Sequence, residues 1–157
     1  DPCRRKSLRK KSQCSQYAPG RHAVLRPVLA AAPTPGELWP RWQLWLVGRP
    51  LAAHNVGTEK KFVQRAAPLH EFGPWLDTLQ LARRVRPDLA GHALGEVCHA
   101  LGLVARLQQV CPGRDWHDAL YDAFASALIL EYCLALPGWE AVSIAALAAG
   151  PDAKSSC

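Results

Sequence analysis

The chain has 157 residues, 49% of them hydrophobic, which suffices for one globular domain with a sizeable core but not for two. Its formal net charge of +6 is uneven, because residues 1–27 carry eight Lys and Arg against one Asp, whereas eleven basic and twelve acidic residues nearly balance in the remainder. We predict a basic, disordered tail at residues 1–21, a single domain at 22–150 and a short carboxyl-terminal tail at 151–157.

Several classes of protein are excluded by composition. The amino end is polar where a secretion signal has an apolar region, and no segment reaches the length of a membrane span. Six cysteines without a C-x-x-C pair argue against a zinc ribbon and a redox dithiol. We therefore expect a soluble, cytoplasmic protein with reduced thiols and no membrane partner. The basic tail is compatible with binding a phosphate backbone and also with simple solvation.

The first elements are predicted between residues 23 and 47. Apolar residues at 23–29 predict a short strand, with Pro27 marking an edge or a strand end. A turn at 33–36 precedes a short helix at 37–47, in which three tryptophans are spaced three residues apart (Trp39, Trp42 and Trp45). This spacing favours a stripe that faces the core over a platform for stacking bases.

The next segments alternate between strand and helix, which indicates the α/β class. A buried strand at 51–53 ends at His54 and Asn55, where ligand sites of open α/β sheets lie. The following elements are a helix at 59–67 capped by Thr58, a strand at 74–77, and helices at 78–85 and 93–101.

The longest helix is predicted at 116–136, and a small helix follows at 139–149. Asp115 is the expected N-cap of the helix at 116–136, and the carboxylate of Asp118 is expected to interact favourably with the positive end of its dipole. Asp122 is expected well beyond the first turn and beside the apolar face, where a carboxylate needs a partner such as a cation or a metal. Taken alone, Asp122 is equally a solvated helix acid.

The order of these segments carries a family resemblance. Residues 53–59 (AHNVGTE), 72–78 (FGPWLDT), 94–103 (LGEVCHALGL) and 116–123 (WHDALYDA) follow one another as in the DEDDh 3′–5′ exonucleases. Over about residues 22–149 the chain resembles this family, and the resemblance implies an α/β, ribonuclease H-like exonuclease fold.

The resemblance also implies roles for individual residues. His117 corresponds to the general base, Glu59 and Asp122 to ligands of Mg²⁺ or Mn²⁺, and Asn55 to a residue that shapes the substrate site. Asp77 is interpreted as structural. The partner implied is single-stranded or 3′-end nucleic acid. Each residue also has a structural explanation when taken alone, for example Glu59 as an acid in the first turn of a helix.

One family motif is missing. The first motif, Asp-x-Glu on the first strand, has no counterpart, because the acids before His54 are Asp1 and Glu37 alone. We therefore expect the carboxyl-terminal part of a metal-dependent exonuclease, truncated at the amino end, with an incomplete central sheet and little activity as it stands. The alternatives are a degenerate relative and a non-catalytic module that binds nucleic acid or another partner.

Overall fold

The computed structural model describes residues 25–139 and 141–149. The described chain divides into two units, residues 25–32 and residues from Pro33 onward. In the first unit, helix α1 spans Arg26–Ala31, so the strand predicted at 23–29 is wrong over its described part. Pro27 is compatible with this helix because its missing N–H lies in the first turn, where no helical partner exists. Both predicted tails lie outside the described residues.

The second unit contains the remaining helices and the two short strands of the described chain. In chain order they are α2 (Pro35–Leu46), β1 (Leu51–Ala53), α3 (Gly57–Ala66), β2 (Trp75–Asp77), α4 (Thr78–Val85), α5 (Leu94–Ala100), α6 (Val104–Val110), α7 (Ala119–Leu134) and α8 (Ile144–Ala148). The strands predicted at 51–53 and 74–77 and the helices predicted at 78–85 and 93–101 are confirmed. Helix α6 was not predicted, and α8 is shorter than the predicted terminal helix because Ser143 caps its start.

The two strands run parallel. Leu51 pairs with Trp75 and Ala53 with Asp77, so both strands end at the same edge of the sheet. Helix α3 lies in the connection between them, as a parallel pair requires. The residues that follow each strand are thereby brought side by side.

Helix α7 is the centre of the core. It packs against α4, α5, α6 and β1, and its buried residues lie on one broad face. They recur at the spacing of an amphipathic helix and are Tyr121, Ala125, Ser126, Leu128, Ile129 and Cys133. The most deeply buried apolar side chains are Leu81, Ala82, Val97, Cys98, Leu107, Tyr121, Ala125, Ile129 and Cys133. Over the described residues, no helix is both long and apolar enough to cross a bilayer.

Helix α2 lies at the surface of its unit. It begins with a capping box in which Thr34 and Glu37 satisfy each other's backbone N–H, and Pro40 lies inside the helix rather than in its first turn. None of its residues is buried, and Trp45 is 72% exposed. The predicted core-facing stripe is therefore wrong, because only Trp39 and Trp42 are half-buried by neighbouring aromatic residues.

Candidate site at the strand ends and the start of helix α7

Asp77 connects the segments that follow β1 and β2 at the edge where both strands end. One carboxylate oxygen of Asp77 accepts hydrogen bonds from the backbone N–H of Asn55 at 2.9 Å and from that of Leu79 at 3.0 Å. The second bond caps helix α4. Asn55 has a φ of 65°, in the left-handed region that few non-glycine residues adopt. Asp77 thus fixes the turn that presents Asn55, and the structural role predicted for it is confirmed.

His54 joins three segments at the same edge. Its Nε2 lies 2.8 Å from the carbonyl oxygen of His92, and its Nδ1 lies 3.1 Å from Oγ1 of Thr78. Because a carbonyl only accepts, Nε2 carries the proton in the neutral ring, and Nδ1 then accepts from the Thr78 hydroxyl, whose other acceptor within reach is the Ala53 carbonyl oxygen at 3.3 Å. Burial lowers the pKa of His54, against a smaller opposite effect of the His92 carbonyl. His54 is therefore a neutral structural histidine that ties β1 to α4 and to the loop before α5.

The stability of the protein should consequently depend on pH through His54. The pKa of His54 in the folded protein lies below the ordinary value of 6.5. At pH values between these two pKa values, the unfolded chain binds more protons than the folded protein. We expect the free energy of unfolding to be highest above pH 6.5, to fall as the pH drops, and to level off below the folded pKa. Urea titrations between about pH 5 and 8 measure this, and His54→Gln should flatten the curve.

The exposed His117 provides the matched control for that experiment. His117→Asn removes the same number of histidines without touching the Thr78 and His92 contacts, and it should keep the pH dependence of the wild type. Equal slopes for His54→Gln and the unsubstituted chain would show that another group is responsible.

The start of α7 differs from the prediction. Asp118 caps the helix, accepting hydrogen bonds from the backbone N–H groups of Leu120 at 2.9 Å and Tyr121 at 3.2 Å. Asp115 instead accepts from the neighbouring Trp116 N–H. The helix cannot begin at 116 because His117 has a φ of 71°, which is incompatible with a right-handed helix. The predicted Asp115 cap is therefore wrong.

The capping carboxylate is held in its charged form. The hydrogen bond from the Tyr121 N–H lowers the pKa of Asp118, and the side chain of Arg114, which forms an ion pair with it, lowers that pKa further. A charged carboxylate at a helix start also interacts favourably with the helix dipole. Asp118 and Arg114 thereby fix the backbone on the carboxyl side of His117.

Asp122 contacts the loop that carries His117. Because α7 begins at Ala119, Asp122 lies in the first turn, and the predicted position beyond that turn is corrected. The positive end of the helix dipole therefore stabilises the charged carboxylate of Asp122. Its Oδ1 accepts a hydrogen bond from the His117 backbone N–H at 3.3 Å. A backbone hydrogen bond thus connects the candidate base, in the loop before α7, to a candidate metal ligand in the first turn of that helix.

Glu59 lies at the exposed start of helix α3. The helix begins at Gly57, two residues earlier than predicted, and its N-cap residue Val56 makes no side-chain capping bond, so the predicted Thr58 cap is wrong. In the described part of the chain, no group of three His, Cys, Asp or Glu side chains is arranged to hold a metal ion. Glu59 and Asp122 therefore do not form a complete metal site with other described residues.

Two contributors to this region were missed by sequence reasoning. His92 acts through its carbonyl oxygen, which no side-chain pattern reveals. Trp116 packs edge-on against Tyr121, with ring centroids 5.0 Å apart, and lies close to Gly95 on α5. The aromatic residue directly before His117 was the available signal.

Comparison with known proteins decides the family. The sequence model of the exonuclease family RNase_T matches residues 12–130. The chain belongs to this exonuclease family. The resemblance to DEDDh-type exonucleases is thereby confirmed, and with it a ribonuclease H-like α/β fold, of which the described residues show helices around a small parallel sheet.

Two curated proteins illustrate the similarity of this exonuclease-family chain. It is 29% identical over 107 residues to "DNA polymerase III PolC-type" of Bacillus cereus, which covers 66% of the chain and 7% of that protein. It is 30% identical over 109 residues to "DNA polymerase III subunit epsilon-like protein" of Rhodobacter capsulatus, covering 68% of the chain and 15% of the relative. The chain thus spans a small part of each relative. No solved structure matches it.

Proposed function

We propose that this chain contributes Glu59, His117 and Asp122 to the active site of a metal-dependent 3′–5′ exonuclease that hydrolyses the phosphodiester bonds of DNA or RNA. Membership of the exonuclease family supports the reaction class. The observation that supports the proposal most directly is the hydrogen bond from the His117 backbone N–H to Oδ1 of Asp122, because it ties the backbone of the proposed base to the carboxylate of a proposed metal ligand.

In this proposal each residue has one role. The exposed imidazole of His117 takes a proton from the water that attacks the phosphorus, a general-base role that histidine fills more often than any other residue. Asn55, which follows strand β1, contacts the substrate. Glu59 and Asp122 supply oxygen ligands of the kind that Mg²⁺ and Mn²⁺ prefer. Members of this family generally depend on divalent metal ions.

We further propose that the chain hydrolyses nucleic acid weakly when it acts alone. The support is that Glu59 and Asp122 have no third metal-binding side chain beside them among the described residues. Hydrolysis through two metal ions needs several carboxylates to hold them about 3.5–4 Å apart. Carboxylates from additional sequence would complete such a site.

The test compares this chain with a version extended upstream in its gene. Both are incubated with Mg²⁺ or Mn²⁺ and with single-stranded DNA or RNA labelled at the 5′ end, so that stepwise shortening from the 3′ end gives a ladder. We expect the ladder from the extended protein only. Robust metal-dependent hydrolysis that survives His117→Ala would refute the roles assigned above.

The net positive charge of residues 1–27 favours one second candidate, a non-catalytic module that binds nucleic acid or another partner. In that case the extended protein neither binds Mn²⁺ nor trims the strand. Deleting residues 1–21 would then abolish nucleic-acid binding altogether.

A further inference from the structure

Helices α2 and α3 enclose an apolar cleft that is open to solvent. Its volume is about 260 Å³, and it is lined by Trp42, Trp45, Leu46, Phe62 and Val63. The two largest contributions to its exposed surface are aromatic, since Trp45 is 72% and Phe62 52% exposed. Trp42 lies below them, 6.4 Å from the Phe62 ring between centroids. Contiguous exposed apolar side chains mark binding sites more often than singly scattered ones do.

Cationic side chains of helix α3 lie outside the lining of this cleft, on neighbouring positions of the same helix. Lys60, Lys61 and Arg65 are exposed on α3 and line, with Gln64, a second depression of about 410 Å³. Arg65 is three residues after Phe62 on the same helix, so the two side chains are neighbours on its surface. Glu59 is the acid that α3 carries, which leaves the helix with a net charge of +2. An aromatic cleft with cations on neighbouring positions complements an anionic chain.

Single-stranded nucleic acid has the matching chemistry. Proteins that bind single strands combine aromatic side chains, on which bases stack, with cations that follow the phosphates. A partner helix with an apolar face would suit Trp45 and Phe62 but would leave Lys61 and Arg65 without partners. An acidic peptide would pair with the cations but has no flat apolar groups for the two rings.

We infer that the α2–α3 cleft binds single-stranded nucleic acid, with bases stacked on Trp45 and Phe62 and phosphates held by Lys61 and Arg65. The choice of ligand class rests on the proposed function. Glu59 lies one helical turn before Val63, so a strand in the cleft reaches the start of α3, where the proposed metal ligand lies. The cleft would thus hold the strand close to its scissile end.

Fluorescence anisotropy of a labelled oligothymidylate tests the stacking, with the full chain in EDTA so that no metal-dependent hydrolysis occurs. An abasic strand of equal length carries the same phosphates without bases. We expect Trp45→Ala and Phe62→Ala each to weaken oligothymidylate binding by at least about fivefold and to leave abasic-strand binding unchanged. Leu69→Ala is the matched control, because Leu69 is 94% exposed and lies outside the cleft.

The phosphate contacts are tested by charge removal. Lys61→Gln combined with Arg65→Gln should weaken binding of both strands and reduce the dependence of affinity on salt by about two phosphates. Arg83→Gln combined with Arg84→Gln removes the same charge from α4 and should leave both affinities close to those of the wild type. Ultraviolet crosslinking of an oligonucleotide with 5-iodouracil bases should label peptides that contain residues 42–46 or 62–65.

Three results would overturn the inference. They are unchanged affinity in Trp45→Ala and Phe62→Ala, crosslinks confined to residues 1–24, and a stable dimer in sedimentation that buries Trp45. Because EDTA suppresses catalysis, the proposed function is tested separately. Binding in the cleft without exonuclease activity in the extended protein refutes the catalytic roles alone, whereas activity without binding in the cleft refutes this inference alone.

Discussion

His117→Ala in the upstream-extended protein should lower the rate of 3′-end hydrolysis by about 10²- to 10⁴-fold, the usual effect of removing a positioned general base. The side chain is exposed and contributes nothing to the core, so the protein should remain folded and bind its substrate as before. The loss should therefore appear in kcat rather than in KM. Single-turnover hydrolysis of a 5′-labelled oligonucleotide measures it.

Chemical rescue and a matched variant sharpen this prediction. Added imidazole should restore part of the activity of His117→Ala, because it can occupy the vacated space and accept the same proton. Asp115→Asn is the control, since Asp115 lies in the same loop and its carboxylate contacts only the neighbouring Trp116 N–H in the contacts observed. A rate loss of equal size in Asp115→Asn would indicate a general disturbance of the loop and contradict a specific role of His117.

Tyr121→Ala should lower the free energy of unfolding by about 3–5 kcal/mol, which is the range for truncating a large buried aromatic side chain. Tyr121 is 2% exposed on α7, and its ring meets that of Trp116 at an interplanar angle of 88°. Removing it leaves a cavity and takes away the support of Trp116. Urea denaturation followed by far-ultraviolet circular dichroism measures the loss.

Two neighbouring variants serve as controls for this substitution. Leu120→Ala alters the preceding residue, which is 48% exposed, and should cost less than about 1 kcal/mol. Tyr121→Phe keeps the ring and should remain close to the wild type. A loss below about 1 kcal/mol for Tyr121→Ala would show that α7 is not packed as described.

The strands and helices with clear boundaries were predictable from sequence. Leu51–Ala53 is a short apolar run between turn residues, and Trp75–Asp77 is delimited by Pro74 and by the cap that Asp77 provides. The strand predicted around Val28 failed because the apolar residues there carry no information on period over so few positions. A proline that suits a strand end suits a first helical turn equally well.

The tryptophans of α2 show a second limit of sequence reasoning. A three-residue spacing indicates that side chains share a face, but it does not indicate what covers that face. Trp45 is exposed because the described residues place no element over it, although its spacing matches that of a buried stripe. Burial is a property of tertiary packing, which depends on residues distant in the chain.

The family was predictable from the order of the motifs, and the comparison with the exonuclease family confirms it. The roles of His117, Asp122 and Glu59 stay predictions, and the arrangement of these residues was not predictable. Asp115 was wrongly predicted as the cap in place of Asp118, because both are good capping residues and the sequence does not distinguish them. The left-handed backbone of His117 prevents the helix from beginning before residue 118, which makes Asp118 the cap. This conformation arises from the contacts of the whole loop.

The left-handed backbone conformation at Asn55 and His117 lowers the stability of the fold. Both residues adopt φ values that glycine reaches without steric cost and that cost most L-residues about 1–2 kcal/mol, although Asn and His adopt them more readily than other side chains do. A sequence optimised for thermal stability alone would place glycine at both positions. This chain instead carries an amide and an imidazole, so a stability-directed redesign that follows backbone preference would erase these two side chains first.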